Sequence, residues 1–155
     1  MQRLKQIRLV VMVYLFALAV GIFGCSIRLI APYDQRIDDG VTGLQKTTAE
    51  FFASVERQGG TKPEDFKDHT KFYDDSRVSV SGLIVRADAL ANNDFTVKEL
   101  KILHQQFQNL EKLDQKNGIP AAAVPQLEEA FDRTFTAILT LEVAKKEPKT
   151  GGTVQ

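Results

Sequence analysis

Between residues 37 and 141 the apolar residues recur every three or four positions, the spacing that gathers them on one face of an α-helix. Four such segments follow one another. The first carries Ile37, Val41, Leu44, Phe51 or Phe52, and Val55, and Gly59-Gly60 ends it. Gly40 and Gly43 weaken its opening turns by about 1 kcal/mol each relative to alanine, so either the helix starts after them or they let a neighbour come close. The second opens at Thr61-Lys62-Pro63-Glu64, which reads as a capping box with proline in the first turn. Its stripe runs Phe66, His69, Tyr73, Val80, Leu83, Ala87 and Leu90. The β-branched residues between 78 and 85 compete for a strand, but the helical period continues on both sides and decides for the helix.

After the turn Ala91-Asn92-Asn93-Asp94, a third segment places Thr96 to cap with Glu99, and Phe95 to staple onto Leu100. Its face is Val97, Leu100, Leu103, Phe107, Leu110 and Leu113, and Asn117-Gly118-Ile119-Pro120 stops it. The fourth opens between Pro120 and Pro125 and carries Val124, Leu127, Phe131, Phe135, Ile138 and Leu141. Short connections make successive helices antiparallel neighbours, so the expected fold is all-α: an antiparallel up-down four-helix bundle over residues 37–147. The tail, residues 148–155, is expected to be disordered.

Ahead of the bundle lies a segment of different character. Residues 1–8 are basic, and residues 9–23 form an apolar run of 15 residues without a charge. As a helix that run would be about 23 Å long at ~1.5 Å per residue, short of the ~30 Å hydrocarbon core, which suits a signal or anchor helix. Charge follows the same division. The whole chain has 20 basic and 20 acidic residues. Residues 1–24 hold Arg3, Lys5 and Arg8 and no acid, so 17 basic and 20 acidic residues remain, a net charge of −3. A mildly acidic domain is not expected to seek nucleic acid, whose binding depends on phosphate neutralisation by clustered Lys and Arg.

The apolar run closes on Ile22-Phe23-Gly24-Cys25, which resembles the lipobox of bacterial lipoproteins. The resemblance implies a signal peptide at 1–24, removed before Cys25, and a diacylglycerol on the Cys25 sulfur. Residues 25–36 then form a lipidated tether, and Ser26 after the cysteine implies the outer membrane, with the domain in the periplasm. Two or three acyl chains on one residue meet the requirement for stable anchoring, since each buried methylene contributes roughly 0.8 kcal/mol. Cys25 is the single cysteine, so the fold holds no internal disulfide.

Little else in the chain carries chemistry. A di-iron bundle needs Glu-x-x-His on two helices, but Phe66 stands three residues before His69 and Lys101 three before His104. Reflecting the second helix onto the third about the turn near Asn93 sets His104 beside Leu83 and His69 near Gly118, so the histidines do not share a site. His69 is therefore expected as a hydrogen-bonded, partly buried histidine. Asp74-Asp75 and Glu128-Glu129 are adjacent acids about 100° apart on a helix, which suits a solvated face. Arg86 and Asp88 flank Ala87; a surface role is expected for Arg86, with an internal ion pair as the alternative. Of Phe51-Phe52 and of Phe72-Tyr73, one member each is expected to face inward, and the other to cover a helix or mark a contact surface. No catalytic, metal or cofactor site is expected.

The mature chain also resembles small uncharacterised lipoproteins of Gram-negative bacteria across roughly residues 25–117. The resemblance rests on Tyr33-Asp34, Ile37-Asp38, Phe72-Tyr73, Arg86-Ala87, and Asn92-Asn93 before Thr96. It carries over no functional residue. The expected function is that of a membrane-anchored, non-enzymatic module of the cell envelope with a protein partner. The alternative is a bundle binding a small or apolar ligand between its helices.

Overall fold

A computed structural model describes residues 30–146 of the chain. The expected signal peptide at 1–24, Cys25 and the expected 148–155 tail lie outside the described residues. Within them stand four helices and no strand: α1 (Gln35–Arg57), α2 (Phe66–Asp88), α3 (Asp94–Asn117) and α4 (Val124–Lys146). Single turns of 3₁₀-helix, Pro63–Asp65 and Ala121–Ala123, precede α2 and α4. The fold is all-α. None of the described helices is long and apolar enough to cross a membrane.

The start of the domain falls earlier than the expected residue 37. Ala31 is buried and its N–H donates to the carbonyl of Asn92, while the Asp34 carboxylate caps α1 by accepting from the Arg36 and Ile37 amides at 2.9 and 3.3 Å. That cap outweighs the two glycines. Gly40 proves to be a point of close approach: a Cβ there would lie 2.7 Å from Leu83 Cδ2. Of the two readings of Gly40, close approach to a neighbour is the one observed.

Two capping expectations fail for a common reason. Thr61 does not cap α2; the Asp65 carboxylate accepts from the Lys62 amide instead, and the Thr61 hydroxyl turns inward. Thr96 does not cap α3, which begins two residues earlier at Asp94, leaving Thr96 fully inside. Both hydroxyls are drawn to buried carboxylates, which offer a stronger acceptor than a helix end provides. With α3 starting early, Phe95 stands 74% exposed and staples nothing.

Each helix packs against two others: α1 on α2 and α4, and α3 on α2 and α4. The centre is aromatic. Phe51 stacks on Phe72 with centroids 4.0 Å apart, and Phe131 meets Phe52, Phe107 and Phe135 at 5.7, 5.0 and 6.2 Å. Phe51, Phe52 and Tyr73 are all buried, and Phe72 packs half-buried against the same cluster. The expected outward-facing partner in each aromatic pair is therefore absent. Rings are wide enough for two neighbours about 100° apart to lean into one core. Phe131 links three helices, so Phe131→Ala is expected to cost about 3–5 kcal/mol, read as a lower urea midpoint at unchanged slope. A loss under about 1 kcal/mol would mean the aromatic cluster is not what holds the helices together.

Candidate functional site

One end of the bundle is organised by an acid on the last turn of α3. Asp114 is fully buried. Its Oδ1 accepts from the Thr61 hydroxyl at 2.7 Å, and its Oδ2 accepts from the Tyr73 hydroxyl at 2.9 Å and lies 2.7 Å from His69 Nδ1. At that separation the His69 nitrogen carries the proton, because two lone pairs would repel. Thr61 in turn accepts from the Ile119 amide at 2.7 Å, and the Thr61 amide donates to the Ile119 carbonyl at 2.8 Å. Burial first, then the negative Asp114 and its hydrogen bond, hold the Tyr73 phenol well above its ordinary pKa.

Two glycines let the chain come this close. Gly118 ends α3 with φ +72°, and a Cβ there would lie 2.2 Å from the Thr61 carbonyl oxygen. Gly60, at φ +102°, pairs with Pro120. The α1–α2 connection is thus sewn to the α3–α4 connection through backbone, hydroxyl and carboxylate.

His69 lines an open cleft of about 470 Å³ together with Ser54, Gln58, Lys62, Asp65 and Asp68. An imidazole held by a carboxylate through Nδ1 leaves Nε2 as its remaining nitrogen, a form shared by general bases and metal ligands. The surroundings limit what it does. The amides of Gly59, Gly60, Thr61 and Lys62 are all engaged, with Glu56, Val55, Ile119 and Asp65. None of those four is left to stabilise a developing oxyanion. Ser54 Oγ accepts from Gln58 Nε2. Among the described residues, no three His, Cys, Asp or Glu side chains gather to hold a metal ion. The carboxylate fastens the α1–α2 connection and the start of α2 to the end of α3, and Thr61 carries the link on to Ile119.

The opposite end has a second buried acid. Glu142, fully buried on α4, accepts from Thr96 at 3.1 Å and pairs with Lys145, whose ammonium also donates to Asn93 Oδ1 at 2.6 Å and Thr96 Oγ1 at 2.9 Å. Nearby, Arg86 meets Asp34 through two nitrogens at 2.9 and 2.8 Å, and Lys146 meets Asp38 at 2.7 Å. The Arg86 guanidinium, followed by the capping amides, outweighs partial burial and lowers the Asp34 pKa; Lys146 and Tyr33 do the same for Asp38.

The residues singled out in the sequence distribute as follows. His69 is hydrogen-bonded and partly buried, and its partner lies one turn before Gly118, close to the reflected position. His104 stands half-buried on α3, ten residues before Asp114 and so about 15 Å away along the helix. Asp74 pairs with Arg77, Asp75 with Lys71, and Glu129 with Arg133, all on exposed faces. Glu128 is partly buried, which, with Asp132 and Glu56 nearby, raises its pKa. Arg86, expected at the surface, is half-buried and locks the start of α1 to the end of α2. Cys25 lies outside the described residues. Asp114 and Glu142 were missed, because Leu113 and Leu141 satisfy the same apolar spacing one position earlier. No protein-family model matches the chain, and no curated protein or solved structure does either.

Two outcomes are expected. Asp114→Ala strands two buried donors and the partly buried His69 and should cost about 3–5 kcal/mol in urea unfolding, more than Leu113→Ala at the half-buried neighbour; the reverse order would show that the carboxylate holds nothing. For Asp34, a folded pKa below the unfolded one means stability present above the unfolded value and lost as pH falls through the folded one. The stability gap between the native chain and Arg86→Met should therefore be full near pH 7 and shrink below about pH 4. A gap independent of pH would contradict the pairing.

Proposed function

We propose that the chain is a lipid-anchored module of the bacterial cell envelope, held through Cys25 and facing the periplasm, with the outer membrane as the favoured membrane. It acts by contact with another envelope protein and not by catalysis. Its helices alternate up and down. That arrangement is supported by the pairing of the α1–α2 connection with the α3–α4 connection at one end, and by the contacts of Ala31 and Lys145 with Asn92 and Asn93 at the other.

The observation that carries the contact reading is the outer face of α2. Val78 and Val85 are 74% and 71% exposed, and a Cβ at Gly82 between them would meet nothing within 4 Å. A mid-helix glycine costs about 1 kcal/mol relative to alanine, and nothing among the described residues uses the space it leaves. Bare backbone between two valines suits a partner that approaches closely. The alternative, an apolar ligand between helices, is supported by an open cleft of about 400 Å³ between α1 and α2, where Leu44 and Leu83 meet polar Thr47, Asp75 and Ser79. The hollow beside Val97 and Ile102 is an open one rimmed by Asp88, Asp94, Lys98 and Lys101.

The test places a photoreactive side chain at position 78 of the full chain in a Gram-negative envelope, with and without Cys25→Ser. A discrete crosslinked protein is expected, weakened by Gly82→Leu and by loss of the anchor, and Cys25→Ser should leave the membrane fraction. Unchanged membrane fractionation and an unprocessed N-terminus in both forms would remove the anchor. Absence of any crosslink from position 78 in the anchored protein would remove the partner.

A further inference from the structure

We propose that the end of the bundle where the chain enters it rests on the lipid surface, with Phe95 set into the interfacial layer of the bilayer that holds the anchor. The inference rests on the lipid-anchor reading and adds to it a defined contact between protein and membrane.

Three groups define this end. The Ala31 amide donates to the Asn92 carbonyl, Lys145 at the end of α4 reaches Asn93 and Thr96, and Phe95 stands between those two residues at the start of α3. Phe95 is 74% exposed, whereas Leu100, onto which it would staple, is fully buried elsewhere. The fold thus makes almost no use of this ring. Ile30 and Val143, at 40% and 51% exposure, belong to the same end. The turns at the far end, Pro63–Asp65 and Ala121–Ala123, contribute no exposed large apolar residue. Exposed apolar side chains are ordinary when scattered; here Ile30, Phe95 and Val143 lie at this end, Val78, Val85 and Ile102 lie along α2 and α3, and none lies at the far turns.

The tether selects the occupant. Five residues separate Cys25 from Ala31, and a fully extended chain advances at most ~3.6 Å per residue, so Ala31 stays within about 22 Å of the lipidated sulfur. Helices of 23 residues are about 34 Å long at ~1.5 Å per residue. This end therefore always lies within reach of the headgroups, whereas the far end reaches them only if the bundle lies on its side. An aromatic ring gains by lying at that depth, where apolar and polar surroundings meet. Exposed Arg36, Lys98 and Lys146 are matched by Asp39, Asp88 and Asp94, so the contact is apolar and does not depend on anionic lipid.

The chain contains no tryptophan, so Phe95→Trp introduces a single reporter, and Glu64→Trp places one at the far end. Full-length protein with its acyl chains is bound to phosphatidylethanolamine–phosphatidylcholine vesicles, with and without brominated acyl chains. The indole at position 95 is expected to emit at shorter wavelength on the vesicles and to lose most of its intensity to bromine, while the indole at position 64 changes little. Adding phosphatidylglycerol should leave both responses unchanged. If acylated protein floats with the vesicles and the two indoles respond alike, the lipid contact is overturned and the anchor stands. A protein that carries no acyl chain on Cys25 and stays off the vesicles overturns both. A shift that appears without vesicles and grows with protein concentration means a second copy covers Phe95, and it too overturns the lipid contact.

Discussion

A carboxylate removed from water must be surrounded by donors or it will not stay charged and buried. Asp114 is such a carboxylate, and much of this bundle's geometry follows from supplying it. The donors come from Thr61 in one connection, and from His69 and Tyr73 on the facing helix. Thr61 cannot reach the acid unless its backbone passes against Gly118, and Ile119 completes the junction by donating to the same hydroxyl. The loops at this end are therefore part of the packed structure and not loose connections.

The other end uses a related but less complete device: both partners of Glu142 meet its Oε1, and its buried Oε2 has none among the described residues. Glu142 takes a hydroxyl and an ammonium, and Lys145 extends the link to the turn before α3. Between the two acids lies a continuous layer of rings reaching all four helices. Breaking either polar cluster would leave unpaired buried groups, so neither end opens at low cost. The bundle's unused surface, the face of α2 around Gly82 and the ring of Phe95, is where contact with other molecules remains available.

The helices were legible because a 3.6-residue period sustained over more than twenty residues has no other good explanation. Their stops were legible too, since Gly118 adopts the left-handed conformation that its place after Asn117 requires. The acids were not. From Leu110 the next inward position is 113 or 114, and from Ile138 it is 141 or 142. Choosing leucine over the acid follows hydrophobicity, and the choice fails where a partner from a distant stretch of chain satisfies the acid. The same long-range pull moved Thr61 and Thr96 off the helix ends, where local spacing had placed them. His69 was readable as a partly buried, hydrogen-bonded histidine, but its partner was not, because the pairing is set by tertiary structure 45 residues away.

The most direct test of the account is native-state hydrogen exchange at the Thr61 and Ile119 amides. If the buried acid joins the two connections into the cooperative unit, both amides exchange only through global unfolding, with the same denaturant dependence as the Leu110 amide in the core of α3. Exchange of Thr61 and Ile119 by a low-energy local opening that denaturant does not affect, while Leu110 stays protected, would contradict it.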